Sequence, residues 1–258
     1  MRNNQKVFGE NEIKINSIKC KYYLSPILLK NNFEHGFFTK KCAQFDLSSL
    51  SSCINLNQNS SLKQIHSNKI VFASKAKDGS RVEADGIMCD ESKQNLWIYS
   101  ADCMPILFAD RKKKLVAAIH CGRKGLEKKI IKNIIKIFDN FGTSKENLLV
   151  AIGPSISKKN YSIDKNTFQE FYKEIHNEES NSFSNLWITD YLKNLIQFKN
   201  IPSIPLDIKH CAHNQLLNEN IPNSNIDIST LCTYESTDDF YSWRRSKTSL
   251  RQWSFIST

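Results

Sequence analysis

The stretch Leu115-Val-Ala-Ala-Ile-His120-Cys-Gly122-Arg-Lys-Gly125-Leu126, running on through Glu-Lys-Lys-Ile-Ile-Lys-Asn-Ile-Ile-Lys-Ile-Phe-Asp-Asn to Phe141-Gly142, changes its periodicity partway along. Its opening residues form an unbroken apolar run, as in a strand buried on both faces. From Leu126 the apolar residues recur at 130, 131, 134, 135 and 138, one stripe of a helix, and Gly142 is a natural C-terminal stop. This predicts a strand ending at His120, a short glycine-bearing loop and a helix over Leu126–Phe141. A strand-to-helix loop is where backbone amides and side chains converge on ligands.

Working outward, Lys69–Ser74, Leu96–Ser100, Ile106–Ala109 and Leu148–Ile152 also read as short strands. Arg111-Lys112-Lys113-Lys114 falls between two of these and reads as a solvated hairpin turn. A second helix is predicted over Lys165–Ile175 with Asp164 as N-cap, and a third over Asp190–Phe198. The tail reads as strands at Pro205–Lys209, Phe240–Arg244 and Gln252–Ile256. With no internal repeat and no linker-like segment, the reading is one α+β domain over residues 1–258, with mixed β-sheets packed by a few helices. Residues 1–32 are expected to be an N-terminal strand region.

The chain carries a formal charge of +10, with its lysines scattered among Asn and Ile rather than gathered on one motif. That distribution argues against nucleic acid as a partner. No uninterrupted apolar stretch suits a signal peptide or membrane span, so a cytoplasmic protein is expected. The eight cysteines show neither a C-x-x-C pair nor framework spacing, and read as thiols rather than disulfides. Neither G-x-G-x-x-G nor a P-loop occurs.

Three residues stand where strands meet loops: His66 in Gln64-Ile-His66-Ser, Cys103 in Ser100-Ala-Asp-Cys103-Met-Pro105, and His120. Two imidazoles and one thiolate form the donor set of a zinc site with one coordination position left open. They lie too far apart in the chain for a finger or ribbon, so a folded sheet must assemble them. Asp102 is a candidate to orient a ligand or move a proton. A metal-free reading makes Cys103 a thiolate nucleophile with His120 as its base, an arrangement that has no need of His66. His210-Cys211-Ala-His213 lacks a second ligand pair and reads as buried strand-end residues. Trp243 and Trp253 read as core, Trp243 with the option of bordering a base pocket.

Further segments include His35-Gly-Phe-Phe-Thr39, Asn55-Leu56-Asn57, Ala84-Asp85-Gly86, Ile152-Gly-Pro154 and Cys232-Thr, then Phe240-Tyr-Ser-Trp-Arg244-Arg245. In this order, from residue 33 to the end, the chain resembles the YfiH or laccase-domain family, known both as multicopper polyphenol oxidases and as purine nucleoside phosphorylases. The resemblance implies a cysteine-hydrolase-like fold and zinc on His66, Cys103 and His120. It implies phosphorolysis of adenosine, inosine or methylthioadenosine to base and ribose 1-phosphate, with adenosine deamination as a further activity. Arg244, Arg245 and Arg251 are candidates to hold phosphate, because guanidinium binds its oxygens bidentately. Some relatives are linked to editing of amino-acid-bearing cell-wall precursors, which suits the Cys103/His120 alternative.

The chain departs from the family pattern at three places. Only Gln58–Lys63 separates Asn57 from Gln64, Arg123-Lys124 stands where Trp-Arg is usual, and Leu250 replaces a glycine. These departures also suit a degenerate, non-enzymatic zinc-binding module. Multicopper chemistry is not expected, because the chain has six histidines and no His-x-His. The H-x-E…P-C-x-x-C deaminase signature is also absent.

Overall fold

Side chains on a strand point alternately to opposite faces, and here that alternation sets the layering. The computed structural model describes residues 7–56, 58–77, 81–176 and 203–258. One six-stranded sheet runs in the order β1 (Gly9–Ile15), β2 (Ile18–Leu24), β3 (His35–Phe38), β14 (Gln252–Ser257), β7 (Gln94–Ser100), β4 (Gln58–Ser60). A second runs β13 (Ile226–Ile228), β10 (Leu148–Ile152), β8 (Met104–Asp110), β9 (Val116–Cys121), β6 (Gly86–Met88), β5 (Ile70–Phe72). Both sheets are mixed: β4–β7, β10–β13 and β5–β6 pair in parallel, the other pairs antiparallel. A small ladder joins β11 (Ser162–Ile163) to β12 (Ile204–Pro205).

Every residue of β8, β9 and β10 is buried. Ile106, Phe108, Ala117 and Ile119 face the helices, meeting Ile130, Ile134 and Phe138. Their neighbours Leu107, Ala109, Val116 and Ala118 face the first sheet, meeting Leu96, Ile98 and Phe37. The outer face of the first sheet packs Trp97 against Phe38 and Phe255, covered by Leu47 and Leu50 of the helix Leu47–Cys53. The fold is therefore a single α+β domain, with two mixed sheets face to face and helices outside.

The long predicted helix is broken in two, Arg123–Glu127 and Ile130–Asn140, because Lys129 takes a left-handed conformation (φ 59°). The C-terminal stop is as expected. Gly142 has φ 71°, its N–H bonds Asp139 O, and Thr143 N–H bonds Phe138 O, which is a Schellman closure. Asp164 caps the helix Lys165–His176 through Thr167 N–H.

Two tail expectations fail. Of Pro205–Lys209 only Pro205 is in a strand, the end of β12, because the Asp207 side chain accepts His210 N–H and starts the helix Ile208–Asn218. Phe240–Arg244 is not one either, because Ser242 Oγ accepts Arg245 N–H and opens the short helix Trp243–Ser246. In both, a polar side chain competes for the backbone and wins. The expected strand region at the N-terminus is the β1–β2 hairpin, turned at Asn16-Ser17 with both φ positive, and it is followed by the helix Pro26–Lys30. The predicted helix over 190–198 lies outside the described residues. Among the described residues no helix is long and apolar enough to cross a membrane.

One buried histidine gives the fold a pH dependence. His35 accepts Ser25 N–H at Nε2 and donates from Nδ1 to Phe33 O, both at 2.8 Å, so it is neutral. Burial pushes its pKa down to about 4, against the opposing pull of its carbonyl partner and Asp227. An unfolded imidazole titrates at about 6.5. Between those values the unfolded chain binds the extra proton, so this contribution is full above pH about 6.5 and is lost as pH falls towards 4. Urea denaturation from pH 7 down to 4.5 should show it as a slope that is reduced in His35→Gln. An identical slope in the variant would refute the assignment.

Candidate metal centre

Strand register builds the site. Gly86 pairs with Ile119, so Asp85, one residue before β6, lies beside His120 near the end of β9. Met104 pairs with Cys121, so Cys103, one residue before β8, lies beside Gly122. Ile70 pairs in parallel with Gly86, which brings the loop ahead of β5, with His66, to the same edge. The ligand atoms of His66, Cys103 and His120 all lie within 4.8 Å of one another. The two imidazoles meet edge to face at 4.9 Å between centroids.

Asp85 is the hub, a residue quoted above only as part of the segment Ala84-Asp85-Gly86 and given no role there. Its buried carboxylate accepts N–H bonds from Ile65, His66 and Ser67 at 3.2, 3.0 and 2.6 Å, and the Ser67 hydroxyl at 2.8 Å. These donors hold His66 at φ 57°, a conformation a side-chain-bearing residue rarely adopts. The same carboxylate bonds His120 Nδ1 at 2.9 Å, which leaves Nε2 as the donor atom for a metal. The signal missed in sequence was the Asp itself in Ala84-Asp85-Gly86, whose partners lie 18 to 35 residues away.

The electrostatics suit a thiolate. Burial alone would raise the Cys103 pKa, yet His120 and His66 bring it down to about 6. Burial would lower that of His120, but Cys103 and Asp85 raise it to about 9. Burial opposes ionisation of Asp85 too, and its bonds to His120 and Ser67 overcome this, leaving it at about 2. Gly122 makes the approach possible, since a Cβ there would lie 2.5 Å from Cys103 Sγ. One soft sulfur, one oriented imidazole and a second on an accessible loop fit a zinc-type ion.

The other candidates are dispersed. Asp102, at φ 91°, directs its carboxylate to Thr233 Oγ1 and Arg244 N–H, both at 2.7 Å, so the orienting carboxylate of His120 is Asp85 and not Asp102. Arg245 is committed to the carbonyls of Thr233, Tyr234 and Phe240, and Arg251 to those of Thr248 and Leu250. Arg244 is placed differently. Its guanidinium lies 4.7 Å from the Tyr161 ring centre, with Nη1 on Ser162 O. Burial raises the Tyr161 pKa, with the Cys103 thiolate adding to this and Arg123 and Arg244 opposing it, and Arg123 also pairs with Glu127.

Trp243, expected in the core, is half exposed with Lys247 Nζ 3.5 Å from its ring centre. Trp253 packs against Trp97 and Tyr99. Cys211 is buried, but on a helix rather than at a strand end, while His213 bonds Asn223. All eight cysteines are free. His66, Cys103 and His120 are the sole potential metal cluster of this kind among the described residues.

A family model for multi-copper polyphenol oxidoreductase laccase matches residues 42–258. The chain is 30% identical over 210 residues to a purine nucleoside phosphorylase of Synechocystis sp., covering 76% of this chain and 78% of that protein. It is 29% identical over 162 residues to a purine nucleoside phosphorylase of Bacteroides thetaiotaomicron, covering 62% of this chain and 55% of that protein. The crystal structure of YlmD from Geobacillus stearothermophilus superposes with a TM-score of 0.74 at 22% identity, covering 95% of this chain and 98% of that one.

Two substitutions test the centre. Asp85→Asn should weaken zinc binding about 10- to 100-fold, because both the His120 tautomer and the His66 loop lose their anchor. Gly122→Ala should displace Sγ and lower zinc occupancy while circular dichroism stays native. Competition with a chromophoric chelator reads both, and unchanged affinity in Asp85→Asn would remove the carboxylate from the site.

Proposed function

This chain belongs to the laccase-domain family, whose YfiH-like fold it shares, and from that premise we propose that it is a zinc-dependent purine nucleoside phosphorylase. The observation that carries the reading is the His66/Cys103/His120 cluster anchored on Asp85, taken with relatives named for that activity. The substrates are a purine nucleoside (adenosine, inosine or methylthioadenosine) and phosphate, and the products are free base and ribose 1-phosphate. Adenosine deamination at the same centre is part of the proposal, as is a cytoplasmic location. Copper is disfavoured, because a multicopper cluster needs many more imidazoles than the three ligands gathered here.

His66, Cys103 and His120 would hold the ion, which supplies Lewis acidity at the open edge of the sheet. The protein's own residues do the rest. Asp85 keeps His120 in one tautomer and the His66 loop in place. Cleavage of the glycosidic bond builds positive charge on the ribose carbon as phosphate oxygen approaches it, and two cations serve to hold that phosphate. Arg244, stacked on the Tyr161 ring, is the first candidate for this clamp, and Arg123, which acts on Tyr161 and also pairs with Glu127, is the second. Arg245 and Arg251 brace the C-terminal loop through backbone carbonyls. Asp102 positions Arg244 by gripping its N–H.

The alternative Cys103/His120 nucleophile draws support from the same thiolate, paired with an imidazole that a carboxylate orients. His66 separates the two readings. Zinc-loaded protein should release adenine or hypoxanthine from nucleosides only when phosphate is added, and His66→Ala should lose both zinc and turnover. Arg244→Met should raise the phosphate KM about tenfold or more. Absence of base release by fully loaded protein would overturn the phosphorylase reading. Hydrolase activity surviving in His66→Ala would establish the dyad instead.

A further inference from the structure

A cavity of about 380 Å³ opens beside the helix Ile208–Asn218, with Lys158, Lys159, Asp207, Lys209, His210 and His213 on its wall. None of these residues is a ligand of the metal centre or bonds Asp85. The volume lies within the range of small-molecule sites. Three lysines and two histidines face one carboxylate, and that carboxylate already caps the helix through His210 N–H at 3.0 Å.

Lys209 is the informative member. Its ammonium donates to Ser229 O and Leu231 O, each at 2.7 Å, which fixes it at the cavity wall. An ammonium has three N–H donors, and these two bonds leave one without a protein acceptor among the described residues. No carboxylate among the described residues lies within ion-pair distance of it. A largely buried cation is costly unless paired, and burial draws its pKa down to about 8, so it is still charged at neutral pH. Asp207 on the same wall and Cys232 favour its charged form through space, against burial, but neither hydrogen-bonds it. Lys159 pairs with Glu235 at 3.1 Å on the outside, and His210 and His213 turn ring nitrogens to Asn214 and Asn223.

We propose that this cavity binds the phosphate group of a small phosphorylated ligand, with Lys209 and Lys158 as the principal cations, at a site separate from the metal centre. The matching partner for a fixed ammonium beside a second lysine is a compact anion with several acceptor oxygens, and phosphate is the common one. The space left over admits a substituent of about pentose size. The inference stands whether or not the metal centre performs phosphorolysis.

The test is calorimetric titration of the full chain with inorganic phosphate and, separately, with a pentose 5-phosphate. Wild type and His66→Ala are both expected to bind, since the cavity does not use the metal. Lys158→Ala and Lys209→Met should each weaken binding about tenfold. Tighter binding of the pentose phosphate would make the ligand a sugar phosphate, and equal affinities would make it the free ion. If Lys209→Met does not fold, Lys158→Ala decides. Unchanged affinity in the folded lysine variants, or loss of all phosphate binding in His66→Ala, overturns the proposal.

Discussion

One buried carboxylate organises the candidate centre. Asp85 accepts three successive backbone N–H groups from the loop that carries one imidazole and bonds the ring nitrogen of the other. A carboxylate so placed would be destabilising without donors, and it has four, together with the His120 ring. The sheet register forces the meeting, because the residues just before β6 and β8 must fall beside those at the end of β9. The centre thus depends on three neighbouring strands keeping their alignment, and that alignment is secured by cores on both faces.

Much of this was legible in the sequence. Leu115–His120 and Leu148–Ile152 announced themselves as apolar runs, Gln252–Ile256 as a strand of the tail, and the metal donors as soft or imidazole residues at strand ends. That the donors meet is beyond any linear pattern, since their proximity arises from ladders that join distant segments. Asp85 stood in a quoted segment, but its role was hidden for the same reason, as its service to His120 is a relation across the sheet. Where local chemistry competed with pattern, pattern misled. Asp207 and Ser242 each seized a backbone amide and turned an apparent strand into the start of a helix. Lys129 broke a helix whose apolar stripe ran on without interruption, because an amphipathic pattern records which face is buried and not whether the axis is continuous.

The same logic sorts the arginines near the C-terminus. Guanidinium groups look alike in a sequence, yet Arg245 spends itself on three carbonyls while Arg244 lies across an aromatic ring. Only the fate of their N–H donors separates a brace from a binding group. Arg123, standing where the family usually carries tryptophan, acts on Tyr161 but also spends a donor on Glu127 one turn along its own helix.

Asp102 sits in left-handed backbone next to the thiol and grips the amide that begins the final short helix. Such a conformation stores about 1–3 kcal/mol and persists only under restraint. That restraint comes from far along the chain: the Asp102 carboxylate is held by Thr233 Oγ1 and Arg244 N–H, so the backbone beside the sulfur is braced by the C-terminal segment.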